Sequence, residues 1–196
     1  MKGRWHFRRE SGILEKKRGV ESMKGKRILA VLILSVLCLG GTAIAAESET
    51  PATRAQTAVV VWEAAGCPQV NYAMPFADVP QTMPYAEAVR WCAAEGLMQG
   101  YSEAAFGPDD AITRQQLAAV LYRWVQQQGG GFTGMWMFPL RFTDAAQVRE
   151  WAYEPLCWMS MKGVLTGDES GALRPEEPVL AVELPDLITA ARNTLQ

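Results

Sequence analysis

The chain has 196 residues, which suits one compact domain or several small repeats rather than a large multidomain enzyme. Hydrophobic residues make up 49% and charged residues 20%, a globular rather than a disordered composition. Residues 1–27 carry ten Lys/Arg and three Asp/Glu (10 − 3 = +7), whereas residues 46–196 carry nine and eighteen (9 − 18 = −9). An acidic body argues against general nucleic-acid binding, because basic side chains must replace the counterions of the phosphates.

Residues 23–45 have the order of a secretory signal peptide. A basic stretch at 23–27 is followed by an apolar run at 28–41 and by the small-x-small cleavage pattern Ala43-Ile44-Ala45-Ala46. The apolar run is shorter than the about 20 residues of a membrane span. We therefore predict export with cleavage after Ala45 and no membrane association afterwards; a retained anchor is the alternative.

Residues 1–22 do not belong to a good signal peptide, because they are basic and have no strong periodicity. A signal normally begins close to the initiator, so we expect Met23 to be the true start and 1–22 to be a mis-assigned extension. A functional basic arm is the alternative.

Histidine and cysteine usage limits the chemistry. His6 is the single histidine, so cleavage of the front would exclude Ser-His-Asp and Cys-His catalysis and histidine-bearing zinc sites. Cys67, Cys92 and Cys157 would remain, without the C-x-x-C spacing of a redox motif or metal knuckle. We expect three buried apolar side chains; one disulfide with a free thiol would also fit. No metal, cofactor or catalytic residue is predicted.

The chain contains internal repeats. Segment 76–108 recurs at 142–175, with an offset of 66 at the Phe-x-Asp motif and 67 from the tryptophan onward. Each copy continues with a tryptophan-bearing segment of helix length and a Gly-hydrophobic-hydrophobic-x-Gly sequence. A partial copy precedes them, since 53–62 matches 113–122 at an offset of 60. Repeats of this size bury their apolar faces on one another.

Each unit reads as helix, loop, helix. The apolar spacing over 84–95 predicts a first helix, which Gly96 ends, and the turn-rich loop 100–110 follows. Capping boxes begin the second helices: Thr113-x-x-Gln116 and Thr53-x-x-Gln56. The predicted class is therefore all-α.

The order of Phe-x-Asp-Val, a tryptophan-bearing helix, Gly-Leu-Met-x-Gly-Tyr, Phe-x-Pro and Ile-Thr-Arg resembles the S-layer homology repeat. The resemblance implies repeats packed as a spindle around a central helical bundle. It also implies non-covalent attachment to secondary polysaccharides of the bacterial cell wall, often bearing pyruvylated sugars. The implied division is a partial repeat (second helix only) at 46–70, a repeat at 76–130, a linker at 131–141 and a degenerate repeat at 142–196.

In that family the glycan lies in grooves between repeats, and the arginine of the Thr-Arg motif is a principal contact. Arg54 and Arg114 follow the capping threonines, where helix amides favour anions and a guanidinium can fork onto a carboxylate. Pairing of each arginine with a surface carboxylate is the alternative. The predicted glycan-binding residues are Arg114, Arg54, Thr113, Thr53, Asp78, Tyr101 and Gly100.

Several of these residues have a second interpretation. Asp78 and its repeat equivalent Asp144 fit a helix cap or turn better than a sugar contact. Tryptophans at helical spacing are expected in the core rather than on a sugar. The stretch 129–142 is either an exposed binding patch or, as we favour, a linker tucked onto the bundle.

The last copy departs from the pattern. Leu180-Ala181 replaces Thr-Arg, and Pro155 and Pro185 fall inside expected helices. Proline is tolerated only in the first turn, so both helices should start late or kink. We expect this copy to serve packing more than binding.

Three functions compete. The first is a secreted, non-catalytic module that binds an anionic wall polysaccharide at the surface of a bacterium. The second is a wall hydrolase, which needs two carboxylates across a cleft; the adjacent pairs at 109–110 and 176–177 have no evident scaffold for that. The third is a fragment that acts only as an oligomer or with a partner, because its first repeat is incomplete.

Overall fold

The computed structural model describes residues 49–134 and 138–195. Within these ranges the backbone is helical and forms no β-sheet, only isolated bridges, which confirms the all-α prediction. The predicted extension 1–22 and signal peptide 23–45 lie outside the described residues. The helices are α1 (Arg54–Ala64), α2 (Ala86–Ala94), α3 (Arg114–Gln127), α4 (Glu150–Met161) and α5 (Leu184–Asn193), with a 3-10 helix (Ala145–Gln147) before α4.

Both predicted capping boxes form. The Thr53 hydroxyl accepts from the Gln56 amide, and the Gln56 side chain accepts from the Thr53 amide at 2.8 Å. Thr113 and Gln116 repeat this pair at the start of α3, where the return bond is 2.9 Å. Because each box satisfies two amides that a helix start would leave unpaired, α1 and α3 begin at equivalent positions.

The two prolines of the last repeat act differently. Pro185 lies in the first turn of α5, so this helix starts three residues after the equivalent of Arg114, as predicted. The expectation of a late start was wrong for α4, which begins at Glu150 and continues through Pro155. Pro155 removes one intrahelical hydrogen bond, but its ring is buried, so packing offsets part of that loss.

Three extended segments, one before each second helix, meet in a closed ring of hydrogen bonds. The Ala52 amide donates to the Val179 carbonyl (2.8 Å), the Val179 amide to Ile112 (3.0 Å), and the Ile112 amide to Ala52 (2.9 Å). All three residues are fully buried. The segment before α1 therefore has the same position in this ring as the segments before α3 and α5, so the partial first copy completes a cyclic arrangement of three repeats.

First helices pack on the second helix of the preceding repeat: α2 lies against α1 and α4 against α3, while α5 contacts both α1 and α3. Trp91, Trp124 and Trp158 are buried in the core, as predicted. The core expectation was wrong for Trp151, which is 52% exposed in the first turn of α4. No helix in the described ranges is long and apolar enough to cross a membrane.

The expectation of buried cysteines was confirmed for two of the three side chains. Cys92 and Cys157 are buried, but Cys67 is exposed, because the chain turns there with a positive φ of 56° just after α1. No disulfide joins these three cysteines. In the linker, Phe132 and Leu140 pack against the core, which favours a tucked segment.

Candidate functional site

Arg54, in the first turn of α1, fastens the first repeat to the loop of the second. It is 6% exposed, and its Nε donates to the Phe106 carbonyl at 2.9 Å while its Nη2 donates to the Gln99 carbonyl at 2.7 Å. The Tyr101 and Phe106 rings each have their centroid 4.6 Å from the guanidinium carbon. The buried cation is thus held by carbonyl oxygens and aromatic rings.

Arg114 repeats this arrangement one repeat further along the chain. Its Nε donates to the Leu173 carbonyl at 2.8 Å and its Nη2 to the Thr166 carbonyl at 3.0 Å. These acceptors lie 67 residues after Phe106 and Gln99, so the two arginines make equivalent hydrogen bonds. Among the described residues neither arginine forms an ion pair, so the alternative of surface carboxylate pairing was wrong.

Burial and nearby acidic groups act in opposite directions on the Arg54 guanidinium. Burial lowers the pKa of this guanidinium, while Tyr101 and the carboxylates of Asp110 and Asp78 partly counteract the shift. Arginine stays protonated in proteins, so the desolvated charge persists. Its interactions with a ligand are then stronger than those of a fully hydrated cation.

Asp78 and Asp144 accept hydrogen bonds from the same loops to which the arginines donate. The Asp78 carboxylate accepts from the amides of Phe106 (2.9 Å) and Gly107 (2.7 Å). Asp144 accepts from those of Leu173 (2.8 Å) and Arg174 (2.6 Å). Burial works to raise the pKa of Asp78, but the amide hydrogen bonds outweigh it and the pKa is lowered. The turn interpretation of both residues fits these contacts.

The predicted site residues gather around two loops. Arg54, Thr53, Asp78, Tyr101 and Gly100 meet at the loop of the second repeat, and Arg114 and Thr113 meet that of the third. Tyr101 is 59% exposed. Gly100 allows close packing, since a Cβ there would lie 2.5 Å from both the Ala105 carbonyl oxygen and a Phe76 ring carbon.

Two cavities adjoin the arginines. The Arg54 groove has about 330 Å³ and is lined by Arg54, Gln99, Gln116, Arg123 and Trp151, with Met98, Ala119 and Val120 at its apolar parts. The Arg114 groove has about 600 Å³, and its charged lining consists of Arg114, Asp168, Arg174, Glu177 and Glu183. Both volumes are within the range of ligand sites.

Sequence reasoning missed three residues of these grooves. Arg123 lies seven residues after Gln116, on the same face of α3, so helical spacing could have linked them. Trp151 comes from another repeat, and no local pattern connects it to Arg54. Arg174 stands where the second repeat has Gly107, and its φ of 57° is close to the 72° of that glycine.

The acidic pairs considered for hydrolysis are engaged elsewhere. Glu176 pairs with Arg149 at 3.1 Å, and Glu177 approaches Arg174 at 3.4 Å. The Asp110 carbonyl accepts from the Arg54 amide, which fixes the first pair in the inter-repeat contact. No cluster of metal-binding side chains occurs in the described ranges.

Comparison with known proteins finds similarity over both fuller repeats. Residues 75–118 and 141–180 match the family model of the S-layer homology domain. The chain is 26% identical over 147 residues to cell surface glycoprotein 1 of Acetivibrio thermocellus, and 26% identical over 149 residues to the cellulosome-anchoring protein of that organism. It is 28% identical over 107 residues to the surface-layer 125 kDa protein of Lysinibacillus sphaericus.

These alignments cover 71%, 71% and 53% of this chain, but only 6%, 32% and 9% of the respective relatives. The chain is therefore similar to a minor part of much longer surface proteins.

Proposed function

We propose that this chain, which carries two S-layer homology domains, attaches non-covalently to an anionic secondary polysaccharide of the bacterial cell wall. The family is one that holds surface proteins on the wall, and the matched relatives are named as anchoring and surface-layer proteins. Only this attachment is transferred, because the chain spans 32% or less of each relative. A pyruvylated sugar, which carries a carboxylate, is the ligand unit that we expect.

The geometry of the arginines is the observation that carries this proposal. Arg54 and Arg114 each use Nε and Nη2 to hold a neighbouring repeat, and both border a cavity. Within the described part of the chain, the Nη1 group of each makes no hydrogen bond and no carboxylate lies in ion-pair contact. A carboxylate ligand can take up these donors.

The proposal places the protein outside the cell, as the signal pattern at 23–45 predicts. It assigns no catalytic step, because Glu176 and Glu177 are engaged in ion pairs rather than placed as a free acid and base.

Co-sedimentation with purified wall tests this function. The purified chain is mixed with intact wall, with wall whose secondary polymer has been stripped by mild acid, and with intact wall plus excess free polymer. We expect sedimentation with intact wall alone. Equal sedimentation with stripped wall, or none with intact wall, would contradict the proposal, and release of soluble sugar would favour a hydrolase.

A further inference from the structure

We propose that the anionic ligand binds in the Arg54 groove and not in the Arg114 groove, and that Arg123 and Trp151 determine its specificity there. This inference rests on the function proposed above. It concerns two arginines at equivalent repeat positions whose adjoining cavities extend over different residues, and it assigns two residues that lie outside the Thr-Arg motif.

The charges lining the two grooves are opposite. Two arginines and no carboxylate line the Arg54 groove, a lining charge of +2; the carboxylates of Asp78 and Asp110, which act electrostatically on Arg54, are not part of this lining. The Arg114 groove has two arginines against Asp168, Glu177 and Glu183, a local charge of 2 − 3 = −1. Residues 46–196 carry a net charge of −9, so the positive lining at Arg54 is a local exception. An anion is attracted to the first groove and repelled by the second.

Arg123 supplies the second charge of the Arg54 groove. Its Nη1 donates to the Leu97 carbonyl at 2.9 Å, which fixes the guanidinium at the wall of the cavity. Burial lowers its pKa, and in the described ranges no carboxylate forms an ion pair with it. Arg54 and Arg123 come from different repeats, so a ligand between them also bridges α1 and α3.

Trp151 gives the groove an apolar rim. Its side chain is 52% exposed and belongs to α4, the first helix of the third repeat. A half-exposed indole offers a flat surface for the C–H face of a sugar ring. Arg123 and Trp151 also line a neighbouring cavity of about 270 Å³, where the carboxylates Glu150 and Glu154 are located. The ligand carboxylate is therefore expected on the side of Arg123 and Trp151 that faces Arg54.

The Arg114 groove contains its own ion cluster. Arg174 lies 2.7 Å from Asp168 and 3.4 Å from Glu177. Asp168 also accepts from Ser170 and Ala172, so its position is fixed. The second repeat has Tyr101 and Gly107 where the third has Asp168 and Arg174, and therefore lacks this cluster.

The test is a binding titration on intact purified wall, with Kd measured for the wild-type chain and four variants. Arg123→Gln and Trp151→Ala should each weaken binding about tenfold or more. Arg174→Gln, in the other groove, should not weaken it. Arg192→Gln is the matched control, because it removes the same charge at an exposed position of α5 outside both grooves.

Two soluble competitors define the ligand class: a methyl hexoside carrying a 4,6-pyruvyl ketal, and the methyl ester of that ketal, which has the same shape without the charge. The acid should displace the chain from the wall and the ester should not, and Arg123→Gln should reduce the difference, because only Arg54 then remains to recognise the charge. Thermal unfolding of each variant shows whether it is folded.

The outcomes separate the two proposals. If the wild-type chain binds intact wall but folded Arg123→Gln and Trp151→Ala bind equally well, the groove assignment is wrong and the wall-binding function stands. A loss confined to Arg174→Gln would assign the ligand to the Arg114 groove instead. If the wild-type chain does not bind wall at all, both proposals are overturned.

Discussion

Replacing Arg114 by alanine should destabilise the fold, whether or not a glycan is present. Arg114 joins the second repeat to the third through hydrogen bonds to the carbonyls of Thr166 and Leu173. Its substitution removes both donors and leaves two carbonyls of the gripped loop without this partner. The residue is therefore a structural fastener as well as a candidate ligand contact.

The magnitude follows from those two bonds. A hydrogen bond to a charged group contributes about 1.5–3 kcal/mol net. The bond to Leu173 is partly buried at 2.8 Å, and that to Thr166 is exposed at 3.0 Å, so the low end applies to both. The expected loss is about 3 kcal/mol in the free energy of unfolding. In a domain of this size that lowers Tm by roughly 6–12 °C.

Urea denaturation followed by circular dichroism measures this loss, with the m-value checked for constancy. Arg192→Ala removes an exposed arginine without a comparable fastening role and should change stability by less than about 0.5 kcal/mol. A loss below about 1 kcal/mol for Arg114→Ala would refute the fastening role. If Arg114→Ala is strongly destabilised, weaker wall binding by this variant does not prove that Arg114 contacts the ligand. For this reason, the binding titration proposed above uses variants of Arg123 and Trp151.

The other predictions concern the loop held by Asp78, a repeat-equivalent glycine pair and the state of association. The pKa of Asp78 is lowered in the folded state, so its contribution to stability is present at neutral pH and is lost as the pH falls below about 4. When Tm is measured against pH, the Tm of an Asp78→Asn variant should therefore fall less over that range than the Tm of the wild-type chain. Gly100→Ala should lower the free energy of unfolding by about 2–3 kcal/mol, because a Cβ there would lie 2.5 Å from a backbone oxygen. Gly167→Ala should lower it less, because a Cβ at that position would lie at least 3.0 Å from its nearest neighbours. Equal losses in urea titrations would contradict this prediction. Sedimentation equilibrium should give a monomer, and a concentration-dependent dimer would favour the oligomer hypothesis.

Local sequence signals predicted the helices and their boundaries well. The two Thr-x-x-Gln boxes formed because a cap depends on residues only three apart. Gly96, directly after the cap residue of α2, takes the positive φ of 67° that glycine tolerates best. The resemblance to a repeat family then supplied the packing of helices that no single segment encodes.

The missed features all depend on contacts between distant segments. The ring through Ala52, Ile112 and Val179 joins three parts of the chain more than 50 residues apart, and no local pattern marks it. Trp151 was expected in the core because helical spacing says nothing about which face another repeat covers. The role of Arg54 as a fastener depends on the carbonyl oxygens of Gln99 and Phe106, and backbone acceptors leave no trace in residue identity.

The loss of the Thr-Arg motif in the third repeat corresponds to the shortened first repeat. Each arginine grips the loop of the following repeat in the ring, so an arginine at 181 would have to reach residues near 39 and 46, by the offset of 60. The sequence there belongs to the predicted signal pattern and contains neither a Phe-x-Asp motif nor a Gly-hydrophobic-hydrophobic-x-Gly motif, and Ala181 stands at the arginine position.

The outer face of α5 shows the same adaptation. The face of α3 that covers α4 includes Ala119, Tyr122 and Gln126. Sixty-seven residues later, α5 has Asp186, Thr189 and Asn193, all of them exposed. A helix face that packs against another helix is expected to carry apolar residues, because burying unpaired polar groups is costly. The polar replacements are those of a face adapted to water. They count against the hypothesis that a partner chain is needed to cover this face of α5.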